Sequence, residues 1–182
     1  MAGAGPAAGA GAAAGAAGAA GAGTVAAYLP FGTEPGAQAE PSLPDALVAA
    51  GWRVLLPVLL PDLDLDWAVY EGALAPARYG LREPVGAQLG QAAISTVDAV
   101  IAPAVAVDRR GVRLGRGGGS YDRALARVPA GVPVIVPLYD GELVDAVPAE
   151  PHDVRVTAVV TPSRGLVRVG DVGPEEWTKP GR

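Results

Sequence analysis

Cysteine is absent from this 182-residue chain, and histidine occurs once, at His152. The first absence excludes disulfides, a thiol nucleophile and cysteine-based zinc sites. The second excludes a multi-histidine metal centre within one chain. Aromatic residues make up only 5% of a chain that is 50% hydrophobic, so its apolar content is mostly Ala, Val and Leu. That composition suits a parallel sheet buried on both faces with helices packed against it. Positive charge is also short: 14 Lys and Arg against 19 Asp and Glu leave a net charge of −5. This argues against a broad nucleic-acid surface.

Apart from Met1, residues 1–23 hold no large apolar side chain, only Ala, Gly and one Pro. Alanine favours helix, but each recurrent glycine costs about 1 kcal/mol in a helix interior. The tract lacks the positive start and leucine-type core of a secretory signal, and Gly/Ala is a poor membrane span. It is read as a disordered low-complexity segment. Roughly 150 residues remain, enough for one sizeable core. The organisation expected is an α/β domain over 24–172 and a polar tail over 173–182, in a cytoplasmic, monomeric protein with no nucleic-acid or membrane partner.

What is present is a series of short apolar runs. Thr24–Leu29, Arg53–Leu60, Val97–Val107 (broken by Pro103), Val132–Pro137, Val156–Thr161 and Gly165–Val169 read as strands, and Leu65–Tyr70 as an edge or hairpin strand. Pro57 marks an end or bulge in the second of these. Pro44–Ala50 and Tyr121–Arg127 read as short helices, and Glu142–Val147 as a possible helical turn. Ala73–Gly86, with Pro76, Gly80 and Pro84, reads as mostly loop. Strands alternating with short helices indicate an α/β layered fold.

The stretch GVRLGRGGGSYDRAL, residues 111–125, sets Gly115, Gly117, Gly118 and Gly119 around Arg116, with Arg113 before them and a helix start after. Glycine admits positive φ and puts no side chain in the way of an incoming group. Successive amide N–H groups in such a loop can form an anion nest, and a helix start adds more free donors. With two arginines beside it the loop suits a polyphosphate, and Asp122 sits where it could hold the accompanying Mg²⁺. The known nucleotide motifs do not fit. No lysine follows the glycines as a P-loop requires, and Ser120 stands where a dinucleotide fingerprint needs glycine. A plain hairpin loop is the other reading. From residue type alone, Arg123 and Arg127 read as a solvated helix face and Trp67 as core.

PAVAVDRRGVRLGRGGGSYDRALA, residues 103–126, strongly resembles the signature of the 5-formyltetrahydrofolate cyclo-ligase family. YLPFGTEPG (28–36), REP (82–84) and VPAEPHDVRVTAVVTP (147–162) resemble further family segments in the same order, so that the likeness covers about residues 24–170. It implies an α/β/α sandwich around a mainly parallel sheet. The activity it implies is the ATP- and Mg²⁺-dependent closure of 5-formyltetrahydrofolate to 5,10-methenyltetrahydrofolate, with release of ADP and phosphate. The resemblance assigns ATP binding to Arg113, Leu114, Gly115, Arg116, Gly117, Gly118, Gly119, Ser120 and Tyr121. It assigns folate contacts to Leu29 and Glu34, to the loop from Arg116 through Ser120, and more weakly to Trp67 as an aromatic wall. Arg116 and Tyr121 are the catalytic candidates, and Asp122 and Asp153 the Mg²⁺ ligands.

The chain departs from the family pattern in three places. No Lys or Arg precedes Arg53, where family members carry a basic helix that binds ATP phosphates. The family's paired tyrosines stand here as Ser120–Tyr121, and YDGEL replaces a segment with glutamine. An active cyclo-ligase and a relative that binds folate or nucleotide without efficient turnover are therefore both compatible with the sequence.

Overall fold

The computed structural model describes residues 23–149 and 153–170. The alanine/glycine tract up to residue 22, His152 and the tail from residue 171 lie outside the described residues, and so do the expectations made for them. The centre of the fold is a seven-stranded sheet. Its strands are β1 (Thr24–Ala26), β2 (Arg53–Leu59), β3 (Leu65–Val69), β6 (Ala99–Ile101), β9 (Val134–Pro137), β11 (Ala158–Thr161) and β12 (Gly165–Arg168). They run in the order β12-β11-β9-β6-β1-β2-β3. The five inner strands are parallel, and β3 and β12 close the two edges antiparallel. This is the mainly parallel α/β sheet expected, with few and short helices.

Apolar runs become central strands because both their faces are covered. Alternate residues divide between two clusters. Ala26, Leu55, Trp67, Val100, Val134, Val136 and Val159 face one side. Val25, Ala27, Val54, Leu56, Ala99 and Ile101 face the other. On the second side packs α1 (Leu43–Ala49), which buries Leu43, Pro44 and Leu47. Ser42 caps it, its side chain accepting from the Asp45 N–H, and a proline in the first turn has no N–H to leave unpaired. On the first side pack a 3₁₀ turn (Gln91–Thr96), which sequence reasoning did not anticipate, and α2 (Ser120–Leu125).

Several local expectations are corrected. The span 73–86 is not mostly loop, since β4 (Leu74–Pro76) and β5 (Arg82–Pro84) form an antiparallel hairpin. The expected helical turn at 142–147 is instead strand β10 (Leu143–Val144). It pairs in parallel with β7 (Ala106–Asp108), which pairs antiparallel with β8 (Arg113–Leu114). β2 also runs through Pro57, which sits opposite Trp67. Leu55 turns its carbonyl to the β1 side, where it accepts from Ala27, and Pro57 has the same orientation one pleat later. The pairing of β1 with β2 stops at Leu55, so the missing N–H of Pro57 breaks no ladder bond.

Candidate active site

From β1 the chain proceeds to β2 on one side, and later to β6 on the other. Such a reversal opens a crevice beyond the carboxyl ends of the two strands, the general ligand site of open α/β sheets. A cleft of about 990 Å³ lies there. The loop after β1 (Tyr28, Leu29, Phe31, Glu34) and Pro103 and Ala104 after β6 line it, together with the whole stretch Arg113–Asp122 and Asp153.

The glycine loop is held between two rigid pieces, the β7–β8 hairpin and α2. Asp108 at the end of β7 is fully buried and organises the hairpin turn. It accepts from the Arg110 and Val112 N–H groups, from the Arg110 guanidinium (2.7 and 2.9 Å) and from the Val147 N–H (3.1 Å). Burial alone would raise its pKa, but these donors outweigh it and hold the carboxyl below the usual aspartate value. Arg110 donates in turn to the Val147 carbonyl, and the Val156 N–H donates to the Gly111 carbonyl (2.9 Å). The segment bearing Asp153 is thus tied to this turn at both ends.

Inside the loop, Gly117 (φ +90°) and Gly119 (φ +66°) take left-handed conformations that bulkier residues disfavour. A Cβ on Gly115 would stand 2.9 Å from a guanidinium nitrogen of Arg113, which lies directly beneath. Gly119 is the N-cap of α2 and supplies no side-chain cap. The helix has only six residues, so its dipole adds little. Arg123 is exposed, as expected of a solvated face, whereas Arg127 is half-buried, and both are tied to other segments. Arg123 donates to the Leu63 carbonyl (2.8 Å) and the Gly118 carbonyl, and Arg127 forms a two-pronged pair with Asp64 (2.6 and 2.9 Å). Hydrogen bonding from Arg127 is the main cause that holds the Asp64 carboxyl below its ordinary pKa. These contacts fasten α2 to the loop before β3.

Across the cleft, Arg116 reaches the loop after β1. Its guanidinium pairs with the nearly buried Glu34 carboxylate (3.2 Å) and lies over the Phe31 ring (4.8 Å from its centre). Glu34 also accepts from the Phe31 N–H (3.1 Å). Its pKa is raised by desolvation, which the Phe31 N–H and Arg116 only partly offset. Arg113 is the opposite case, with a side chain only 3% exposed. It pairs with Asp122 and donates to the Pro103 carbonyl (3.3 Å). The hydroxyls of Tyr121 and Tyr28 are buried and have no hydrogen-bond partner among the described residues, and desolvation raises both pKa values and keeps them protonated.

Nearly all of the residues singled out from sequence therefore meet in one cleft: Leu29, Glu34, Arg113–Asp122 and Asp153. Trp67 does not. It is fully buried in the sheet core and lines no part of the cleft, because its position on β3 points to the face packed by Ile94 and Leu125. Exposed aromatics on the cleft are instead Phe31 and Tyr79, the latter at the tip of the β4–β5 hairpin, which no sequence signal marked. Phe31, inside the YLPFGTEPG stretch, was also missed. Among the described residues no group of three or more His, Asp or Glu could hold a metal ion. Two carboxylates on one cleft nonetheless fit a hard cation that keeps several waters and completes its shell from a bound phosphate.

A sequence profile described as the 5-formyltetrahydrofolate cyclo-ligase family matches residues 12–162. The chain belongs to this family. A 5-formyltetrahydrofolate cyclo-ligase of Mycolicibacterium smegmatis is 49% identical over 150 residues, covering 79% of this chain and 76% of that protein. A cyclo-ligase of the same name from Escherichia coli is 37% identical over 151 residues, covering 78% and 79%. The NMR structure of Aquifex aeolicus 5,10-methenyltetrahydrofolate synthetase superposes with a TM-score of 0.64 at 26% identity, over 88% of this chain and 74% of that one. A Mycoplasma pneumoniae 5,10-methenyltetrahydrofolate synthetase shares the fold, with a TM-score of 0.56 at 22% identity over 75% and 71%. Among the described residues no helix is long and apolar enough to cross a membrane.

Proposed function

We propose that this chain closes 5-formyltetrahydrofolate to 5,10-methenyltetrahydrofolate at the expense of ATP, in the cleft between the β1 loop and the glycine loop. The observation that carries the proposal is the Arg116–Glu34 pair, which joins a loop suited to polyphosphate to a loop suited to the polar edge of a folate. The formyl oxygen is a poor leaving group. Transfer of the γ-phosphoryl group to it makes a good one, N10 then attacks the activated carbon, and phosphate departs with the oxygen. The products are the methenyl compound, ADP and phosphate.

The chain's own part is positioning and charge stabilisation. Amides from Gly115 to Ser120 and the Arg116 guanidinium receive the phosphates, in a loop held in shape by Arg123 and α2. Leu29 and Phe31 cover the apolar body of the folate, and Glu34 accepts from its polar edge. Tyr121 packs beneath the loop. Asp122 and Asp153 hold Mg²⁺, which when bound neutralises phosphate charge. The walls exclude water from the activated carbon.

The alternative, a relative that binds without efficient turnover, draws on the lack of any Lys or Arg before Arg53. Purified protein given Mg-ATP and 5-formyltetrahydrofolate separates the two. Growth of the methenyl chromophore above a no-enzyme control supports the cyclo-ligase. Tight folate binding without that chromophore supports the alternative.

A further inference from the structure

We infer that Arg113 is a positioning residue that fixes the Asp122 carboxylate and the floor of the glycine loop, rather than a cation that touches phosphate. The inference rests on the function proposed above. Arg113 has the residue type expected of a phosphate ligand, but its side chain is 3% exposed and both terminal guanidinium nitrogens donate to protein groups, the buried Nε alone having no hydrogen-bond partner among the described residues. One terminal nitrogen donates to the Pro103 carbonyl at the exit of β6, and the other pairs with Oδ1 of Asp122. The guanidinium lies under Gly115 and 5.9 Å from the centre of the Tyr121 ring. Arg113 is among the residues along the cleft, but so little of its side chain is open that a phosphate on the loop amides has little access to it.

Asp122 has the complementary exposure, with one-third of its side chain open. Among the described residues only Oδ1 is hydrogen-bonded, by Arg113, and Oδ2 has no hydrogen-bond partner. A carboxylate held through one oxygen by a rigid guanidinium fork presents the other in a fixed direction. Hydrogen-bonded partners behind a metal ligand commonly change metal affinity or activity 10–100-fold when removed. Arg113 also links three pieces of the cleft: the β6 exit, the glycine loop and the start of α2. Lysine could serve one of the two acceptors, but not both in the same geometry.

The test uses two titrations on the full-length protein: a non-hydrolysable ATP analogue without metal, and Mn²⁺ in the presence of that analogue, read by electron paramagnetic resonance. Arg113→Met is expected to weaken Mn²⁺ binding about 10–100-fold and to leave metal-free analogue affinity within about twofold of wild type. At saturating metal, kcat is expected to fall with little change in KM for ATP. Combining Arg113→Met with Asp122→Asn is expected to weaken Mn²⁺ binding no more than Asp122→Asn alone, because both changes act on one carboxylate. Loss of metal-free analogue affinity with Mn²⁺ binding intact would overturn the inference, and so would multiplicative effects in the double variant. If Arg113→Met does not fold, Arg113→Lys replaces it, and unchanged Mn²⁺ affinity in that variant would overturn the inference. Failure of the wild-type protein to bind the analogue at all would instead overturn the proposed function, and the inference with it.

Discussion

Arg116 and Glu34 form a 3.2 Å ion pair across the mouth of the cleft, with the Arg116 guanidinium over the Phe31 ring. The pair couples the two halves of the site before any ligand arrives. A phosphate that draws Arg116 away leaves Glu34 nearly buried with only the Phe31 N–H to satisfy it. A donor from the other substrate can take its place. Arg116→Ala is expected to lower kcat/KM about 10²–10³-fold, the usual effect of removing one charge-stabilising donor from a phosphoryl-transfer site. It is also expected to weaken folate binding. Steady-state kinetics with each substrate varied checks both, and a change in the ATP terms alone would contradict the coupling.

The raised pKa of Glu34 has a sign that can be tested. In the proposed site the ionised carboxylate is the form that accepts from the folate, so activity is expected to rise with pH as Glu34 loses its proton. The midpoint should lie above the ordinary glutamate value of about 4.3. Since Arg116 lowers this pKa, Arg116→Lys, which breaks the planar geometry, should move the limb upward. Glu34→Gln should remove it. A pH–rate profile whose acid limb is identical in Glu34→Gln and wild type contradicts the assignment.

Asp64 and Arg127 join the end of α2 to the loop before β3, and neither lines the cleft. Arg127→Met leaves the largely buried Asp64 without its main partner and is expected to cost about 2 kcal/mol, discounted for the partial exposure of Arg127. For a domain of this size that is a fall in Tm of roughly 4–8 °C. The folded-state pKa of Asp64 is depressed, so this stabilisation is complete above the unfolded value of about 3.9 and disappears as pH falls through the lower, folded one. The gap between wild type and Arg127→Met is therefore expected to close on acidification below about pH 4. Thermal melts across that range check it, and a constant gap contradicts it.

Asp108→Ala removes the shared acceptor of the Arg110, Val112 and Val147 N–H groups in a site with no solvent access. Each orphaned buried donor costs about 1–3 kcal/mol, so a loss of about 3 kcal/mol or more is expected. The segment bearing Asp153 hangs from the same turn, and activity is expected to fall beyond what residual stability explains. Denaturant unfolding alongside assays well below Tm separates the two effects.

The sheet was largely legible because continuous apolar runs such as Arg53–Leu60 and Val156–Thr161 have few other places to go than a strand covered on both faces, although the run Val97–Val107 divides into β6 of this sheet and β7 of another. The cleft residues were legible through the resemblance, and geometry then brought the loop after β1 and the glycine loop together. Contacts across long sequence separations were not legible. Nothing in ALARV shows that Arg127 will meet Asp64, 63 residues earlier, or that Arg123 will reach the Leu63 carbonyl. The β4–β5 hairpin was hidden by Pro76, Gly80 and Pro84, which punctuate a sequence without revealing that the edges they leave can still pair. Trp67 reads as core from residue type and only weakly as a ligand wall from the resemblance, and the strand's side-chain alternation, fixed by pairing with β2, decides for core.

The most direct measurement is the release of ADP and phosphate per methenyltetrahydrofolate formed, for wild-type protein and for Arg116→Ala and Asp122→Asn. One ADP and one phosphate per methenyl group in the wild type, with both variants losing product and ADP together, is the predicted result. Methenyl formation without ATP turnover, or variants that keep wild-type rates, would contradict a shared folate and nucleotide site between Glu34 and the glycine loop.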